Sequence, residues 1–552
     1  MSRSIITLAS SVALATTVAA TAQSVITGPS SSATPYVRPH NGYPVDVVSI
    51  ITVGDFVNYK PDGVSPYYFC GIPDGMGAYK NNDGTMTVLV THEYTTTNGG
   101  GVPRAHHPAG FSNGAFTSQW KINTTPGADF LKVVNGEDMM NSVQTVTNGS
   151  GGSLYTLQRF CSADLAEMSG LYNPASGLGA TERIFFSGEE ASGAGRVIAT
   201  GVNERIGVEL VPFNVLVGAW ENIIVRPMAS DKTVVIGTSD GNANRVFLYV
   251  GDKQATGTLM EKAGLTNGIG YGVQVSVNGT AVATESRDFC FNAAGKPRYT
   301  GTFTLVQGNV GTTFLRPEDG AWDPANPADF YFVTTDRVDS TNYGGTQVGR
   351  SRLFRMRFSD VNNPLAGGTI EALLDGTDVM EMGDNLTVYN DLQGGTRVIL
   401  TEDPGNSPQN AKTLLYTVAT DTLEVILESD RARFGDWFGV PAVAPFNQDE
   451  ENSGVIDARD TLGLGWFIQN MQAHYNITGE LVQGGQLYAY YCPACVGSSM
   501  ADLSTPLDGV IGGDDLAVLL NGWGQAGASD INRDGTTDGS DLGILLNSWN
   551  QN

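Results

Sequence analysis

Runs of Val, Ile, Phe and Tyr that break off at carboxylates recur along this chain: VLVTHEY (88–94), RIFFSGEE (183–190), TVVIGTSD (233–240), DFYFVTTDR (329–337) and RVILTEDP (397–404). Each run has the length and the β-branched, aromatic content of a strand. Clusters of Gly, Asn, Asp and Thr separate them, and long stretches with helical apolar spacing are scarce before residue 510. Several hundred residues of such strands must close on themselves, because an open sheet edge is a template for unwanted pairing, and radial blades around a channel achieve that closure. The pattern predicts an all-β body, a β-propeller, with a pair of large β-sandwiches as the rival. No repeat of fixed length is visible in the sequence to choose between them.

In a propeller the innermost strands converge on the axis, so acids at strand ends meet although they are far apart in sequence. The candidates are Glu93, Glu189, Glu190, Asp240, Glu318, Asp336, Asp384, Glu402 and Asp403. Any one of them is explained as well by a turn that begins with an acid; the collection makes the case. Carboxylates buried together without partners cost roughly several kcal/mol each, so cations must fill the space. The chain has five histidines, and of these only His92, His106 and His107 lie near a candidate strand end. HEY and AHHP lack the spacing of a zinc-protease helix. Hard oxygen donors suit Ca²⁺, Mg²⁺, Mn²⁺ or ferric iron.

The charge balance, 57 acids against 31 Lys plus Arg for a formal net charge of -26, argues against nucleic acid and anionic membranes as partners. The opening MSRSIITLASSVALATTVAATAQS has one Arg, a short uncharged apolar run and an Ala-Thr-Ala cleavage pattern, which predicts a secretory signal peptide over residues 1–22 and a secreted product. No other stretch approaches the length of a membrane span. Cysteines are few: Cys492 and Cys495 in CPAC predict a local disulfide, and Cys70, Cys161 and Cys290 predict one further disulfide and one buried thiol.

The last fifty residues read as a separate unit. DINRDGTTDGSD places Asp530, Asn532, Asp534, Asp538 and Asp541 at positions 1, 3, 5, 9 and 12 of a calcium loop, with Gly535 at the sharp turn of position 6. Upstream, DLSTPLDGVIGGDDLAVLLNGWG repeats the loop–helix pattern less well. Aligned without a gap, Ser504, Pro506 and Gly512 fall at ligand positions; with Thr505-Pro506 as an insertion, Asp502 becomes the first ligand. The pair of units over 500–552, reached through a linker at 489–499, resembles a type I dockerin, which implies docking to a cohesin-like module. A calcium-stapled tail is the simpler alternative.

The order GIPDGMGAYKNNDGTMTVLVTHEY, RIFFSGEE, GAWENI, TSDGNANRVFLYVGD, RPEDGAWDP, GRSRLFRM and VILTEDPGN resembles the PhoX-type alkaline phosphatases, a secreted bacterial family. The resemblance implies a six-bladed propeller over 23–488 whose channel holds Ca²⁺ and a pair of Fe³⁺ ions and hydrolyses phosphate monoesters. It implies that Arg316 grips phosphate and that Glu93, Glu189, Glu190, Glu221, Asp240 and Glu318 are metal ligands; Asp384 and Glu402 join them from the strand-end pattern. The family's iron-ligating cysteine precedes its paired glutamates, and here Gly188 stands there, so calcium without iron is the alternative. Cys161 is the nearest substitute, with a structural thiol the simpler reading. Two other functions compete: a non-catalytic calcium-binding propeller, and a calcium-dependent esterase or lactonase.

Overall fold

The computed structural model describes residues 25–549 except 99–100, 108, 145–155, 192–194, 242, 286–299, 336–350, 375–377, 406–408, 437–438 and 533. The expected signal peptide, Asp336 and Cys290 lie outside the described residues.

Six strands line a central channel: β1 (Pro73–Lys80), β2 (Phe160–Leu165), β3 (Trp220–Val225), β4 (Pro317–Trp322), β5 (Gly383–Asn390) and β6 (Glu450–Asp457). Each packs on the next and β6 packs on β1, so the ring closes. From each, antiparallel strands run outward as a blade; β1 is followed by Thr85–His92, Phe116–Asn123 and Val133–Asp138. Blades cover both faces of their neighbours' strands, which is why Thr85–His92 is buried at every position and reads as a continuous run. The third and fourth blades join at the rim, where Thr300–Gln307 pairs with both Ile269–Val277 and Gly368–Leu374. The sixth blade is completed from the other end of the chain: Asp46–Thr52 pairs antiparallel with Gln483–Tyr491. This is the six-bladed β-propeller, and the sandwich alternative falls.

A repeat does exist, at a level the sequence hides. All six innermost strands slip register near their start, as in Pro73 opposite His92 but Met76 opposite Val90. Each slip is a bulge that sets two consecutive residues against one partner. The bulged pairs are Asp74-Gly75, Cys161-Ser162, Glu221-Asn222, Glu318-Asp319, Asp384-Asn385 and Ser453-Gly454. Their spacing ranges from 60 residues (Cys161 to Glu221) to 97 (Glu221 to Glu318), because the loops between strands differ in length.

Strand Gln483–Tyr491 runs into the segment expected to be a linker, and Cys492 and Cys495, joined by a disulfide, are fully buried against the propeller. Cys70 and Cys161 are both free, so they do not form the further disulfide that the cysteine count suggested. Beyond them, α1 (Gly513–Asn521) and α2 (Gly539–Asn547) pack around Leu519, Ile531 and Leu545. The two loops before them share one hydrogen-bond pattern. Asp530 accepts from the Gly535 amide (2.8 Å) and Asp541 from the Asp538 amide (2.7 Å). Asp502 accepts from the Gly509 amide (2.8 Å) and Asp515 from the Gly512 amide (2.8 Å). Asp502 is therefore the counterpart of Asp530, and Thr505-Pro506 is the insertion. Among the described residues no helix is long and apolar enough to cross a membrane.

Candidate metal centre

The bulges decide which side chains face the channel mouth. At the mouth, each innermost strand is beginning and its antiparallel partner is ending, so two positions per blade converge there. One is the first bulged residue; the other is the residue just after the partner strand. The first set supplies Asp74, Cys161, Glu221, Glu318 and Asp384, with Ser453 in the sixth blade. The second supplies Glu93, Glu190, Asp240, Thr335 and Asp403; in the sixth blade Gln472, inside the partner strand Trp466–Asn476, takes that place. In four blades the residue before the innermost strand is a non-glycine in the left-handed region: Ile72 (φ 50°), Arg159 (43°), Arg316 (59°) and Met382 (52°). Such a conformation costs about 1–2 kcal/mol and persists only where surroundings fix it.

Three groups of ligand atoms form at the mouth, each with all its atoms within 4.8 Å of one another: Asp74–Glu93–Cys161, Cys161–Glu190–Glu221 and Glu221–Glu318–Asp384. Cys161 and Glu221 each belong to two groups, so the three are links in one chain. All of these residues but Asp74 line a cavity of about 320 Å³ with Arg159, Arg316, Asp240, Asp403, Glu451, Gln472 and His474. Arg159 bridges Glu93 (3.0 Å) and Glu190 (2.6 Å). Arg316 donates from Nε (3.0 Å) and Nη2 (2.8 Å) to Asp240 and lies 3.1 Å from Glu318, which also accepts from the Thr335 hydroxyl (2.8 Å). The Cys161 thiol donates to Asp74 Oδ2 (3.1 Å), while Asp74 Oδ1 is buried with no hydrogen-bond partner.

Two arginines cannot balance so many acids. Burial, reinforced by neighbouring carboxylates, pushes Asp74, Glu221, Glu318 and Asp384 well above the usual carboxyl range. Burial also raises Glu190 to about 7, despite Arg159, and Asp403 to about 7. Burial and then Glu221 raise the Cys161 thiol. Opposing these, burial works against the charge on His474, but Glu451, with help from Gln483 and Asp403, outweighs it and lifts the imidazole to about 10. Clustered, under-neutralised oxygens with an orphaned carboxylate atom are the donor set that cations satisfy.

The structure brings Glu93, Glu190, Glu221, Asp240, Glu318, Asp384, Asp403 and Arg316 to this cavity. It turns Glu189 and Glu402 away, which corrects their expected place as ligands. Each stands one residue before the position that reaches the mouth, and successive strand side chains point to opposite faces. Glu189 is bound by Arg196 (2.6 Å), and Glu402 by Lys412 (3.3 Å) and the Glu381 amide (2.9 Å). Cys161 is a second correction: its thiol is a wall of the cavity, not a remote structural group. No side chain at position 188 could serve, since a Cβ on Gly188 would lie 2.6 Å from Trp220. Strand-end reasoning missed Asp74, which shares a ligand group with Glu93 and Cys161, and the cavity residues Arg159, Glu451, Gln472 and His474. The available signal was the bulge dipeptide, an acid or thiol followed by a small residue, amide or second acid.

Trp220 fixes the bulge that carries Glu221. It is fully buried between Phe213 and Phe247, and glycines at 188, 218 and 237 make room for it. Trp220→Ala is expected to cost about 3–5 kcal/mol, measured by denaturant unfolding.

These features define a six-bladed β-propeller with a buried, carboxylate-rich centre at one mouth of its channel. No protein-family model matches the sequence, and no curated protein matches it. Among solved structures the chain is similar to PhoX of Pseudomonas fluorescens in complex with vanadate, a transition state analogue, with a TM-score of 0.53 and 10% identity over 85% of this chain and 98% of that one. Weaker likenesses are to the Dos1 propeller (TM-score 0.30, 8% identity, 79% of this chain and 74% of that one) and to the propeller domain of the Trilobed protease of Pyrococcus furiosus (0.27, 7%, 73% and 92%). At these identities the likeness is one of fold.

Proposed function

We propose that the chain is a secreted, metal-dependent phosphatase that hydrolyses phosphate monoesters at this mouth, exported through residues 1–22. The observation that carries the reading is the chain of three ligand groups, linked through Cys161 and Glu221, beside the guanidinium of Arg316. The fold shared with PhoX, a structure holding a transition state analogue, supports it. The all-oxygen group Glu221–Glu318–Asp384 suits Ca²⁺, and the two groups that share the Cys161 sulfur suit iron better than Ca²⁺, which takes oxygen donors. Bound cations supply Lewis-acid neutralisation of phosphate charge and an activated water.

The chain's own groups do the rest. Arg316 presents a planar fork suited to two phosphate oxygens, and Asp240 and Glu318 hold that fork in one orientation. Arg159 holds Glu93 and Glu190 together and offsets their mutual repulsion. His474, protonated and paired with Glu451 (3.6 Å), adds a positive charge on the sixth-blade side of the cavity. Arg316 also favours this reading over an esterase or lactonase, whose uncharged substrates have no use for an anion clamp.

Purified protein is expected to hydrolyse p-nitrophenyl phosphate at alkaline pH, to lose that activity in chelator and to recover it with Ca²⁺, with or without iron. Elemental analysis of protein purified without added metal separates calcium alone from calcium with iron. Absence of turnover on mono- and diesters with all these metals supplied overturns the proposal and leaves a calcium-binding propeller.

For residues 500–552 we propose a dockerin-like calcium module whose outward Val518, Leu520, Trp523 and Leu546 meet a cohesin-like partner. Its matched loop pattern supports this. Asp530→Ala is expected to remove Ca²⁺ uptake by the second loop in calorimetry of the full chain.

A further inference from the structure

Asp240 and Glu318 hold the Arg316 side chain, but its backbone is held by groups that do not line the cavity. That backbone is left-handed, and its own carbonyl and the amide of the residue before it are both pinned. The Thr335 amide donates to the Arg316 carbonyl (3.0 Å), and the Leu315 amide donates to Glu285 Oε2 (2.8 Å). Glu285 is almost fully buried, and its other oxygen faces the guanidinium of Arg352 and the Thr334 hydroxyl (3.4 Å). Thr334 and Arg352 are paired neighbours on the second and third strands of the fourth blade, so the rigid sheet itself holds the ion pair. Glu285 is tied down in turn by its own amide, which donates to the Thr313 carbonyl (2.7 Å).

We propose that the buried Glu285–Arg352 pair is a positioning device for Arg316, an inference that rests on the phosphatase reading. A buried ion pair is weak evidence for stability, because desolvation offsets most of its attraction. Here the pair meets a specific need. If residue 316 relaxed to the extended backbone normal for arginine, its side chain would leave Asp240 and Glu318 and turn from the cavity. The Glu285 carboxylate holds the preceding amide, Arg352 holds the carboxylate, and the fork of Arg316 stays aimed at the place where phosphate oxygens would sit. Arg316 touches the substrate in this scheme; Glu285 and Arg352 act only through it.

The test is a double-mutant cycle on the full chain loaded with Ca²⁺ and iron, read by KM and kcat for p-nitrophenyl phosphate and by the Kd of inorganic phosphate in calorimetry. Glu285→Gln keeps the shape and an acceptor for Leu315 but removes the charge that faces Arg352. It is expected to raise KM and the phosphate Kd roughly ten- to hundredfold, the scale of a small misplacement of a binding group, with a smaller change in kcat. In an Arg316→Ala background the same substitution is expected to change neither constant further. Arg352→Lys, which replaces a fork by a point charge, should follow the same pattern and decides the matter if Glu285→Gln does not fold. A phosphate Kd within twofold of the parent in the folded variants, or effects that multiply with Arg316→Ala, overturns the inference while leaving the phosphatase reading intact. Failure of the parent protein to bind or hydrolyse phosphate overturns both.

Discussion

Glu221→Gln is expected to lower phosphomonoester hydrolysis by about a thousandfold, the largest effect of any single substitution at the mouth. Removal of one preorganised electrostatic group commonly costs 10²–10³ in kcat, and Glu221 serves in two ligand groups at once. The amide keeps the volume and the hydrogen-bonding outline, so the bulge beside Trp220 is preserved and the loss is one of charge. Metal content should fall in the same variant, because both groups that share Glu221 lose an anionic donor. Asp384→Asn, whose carboxylate belongs to only one group, is expected to lose less on both counts. Steady-state kinetics and elemental analysis on the two variants check the ranking; equal losses would show that Glu221 is not a shared ligand.

The sequence carried more of the fold than of the site. Strand runs bounded by Gly, Asn and Asp, with few long stretches of helical spacing before residue 510, were enough for an all-β body that must close on itself. The blade count and the rank of each strand within its blade were not readable. They depend on which strand lies innermost, and RIFFSGEE and TVVIGTSD look as central as any, although both are second strands. That mistake propagates by one residue. With Ile184–Glu189 taken as innermost, the pair Glu189-Glu190 seems to enter the channel whole; paired against β2, only Glu190 does. The same shift separates Glu402 from Asp403. Cys161 was hidden for a related reason, since FCSADL is a short strand with one acid and its role comes from a bulge shared with five others. The final blade deviates further. Ser453 stands where the others carry an acid or thiol, and the carboxylate comes from Glu451, a place that only the register reveals.

Removal of the cations should make the protein's stability fall as pH rises, opposite to the behaviour of ordinary salt-bridged carboxylates. Unfolded, Asp and Glu titrate near pH 4. In the fold, burial raises Asp319 to about 6 and Glu190, Asp403 and Asp164 to about 7, and raises Asp74, Glu221, Glu318 and Asp384 in the same direction. Between those limits the folded chain binds more protons than the unfolded one, so the free energy of unfolding decreases with pH. The stabilisation is fully present below about pH 4 as far as these groups are concerned, and it is lost as pH rises through about 7. Other acids, paired with arginines, oppose the trend near the lower limit, so the clearest window is pH 5 to 8. In chelator, Tm is expected to drop by several degrees across it. Added Ca²⁺ should reverse the slope, because a cation binds the deprotonated carboxylates and stabilises the folded state more as protons leave. Thermal unfolding at pH 5 and pH 8, with chelator and with Ca²⁺, gives four values. If the gain from Ca²⁺ is no larger at pH 8 than at pH 5, the buried acids are not a cation site, because carboxylates that titrate in this window must release protons when they take up a metal.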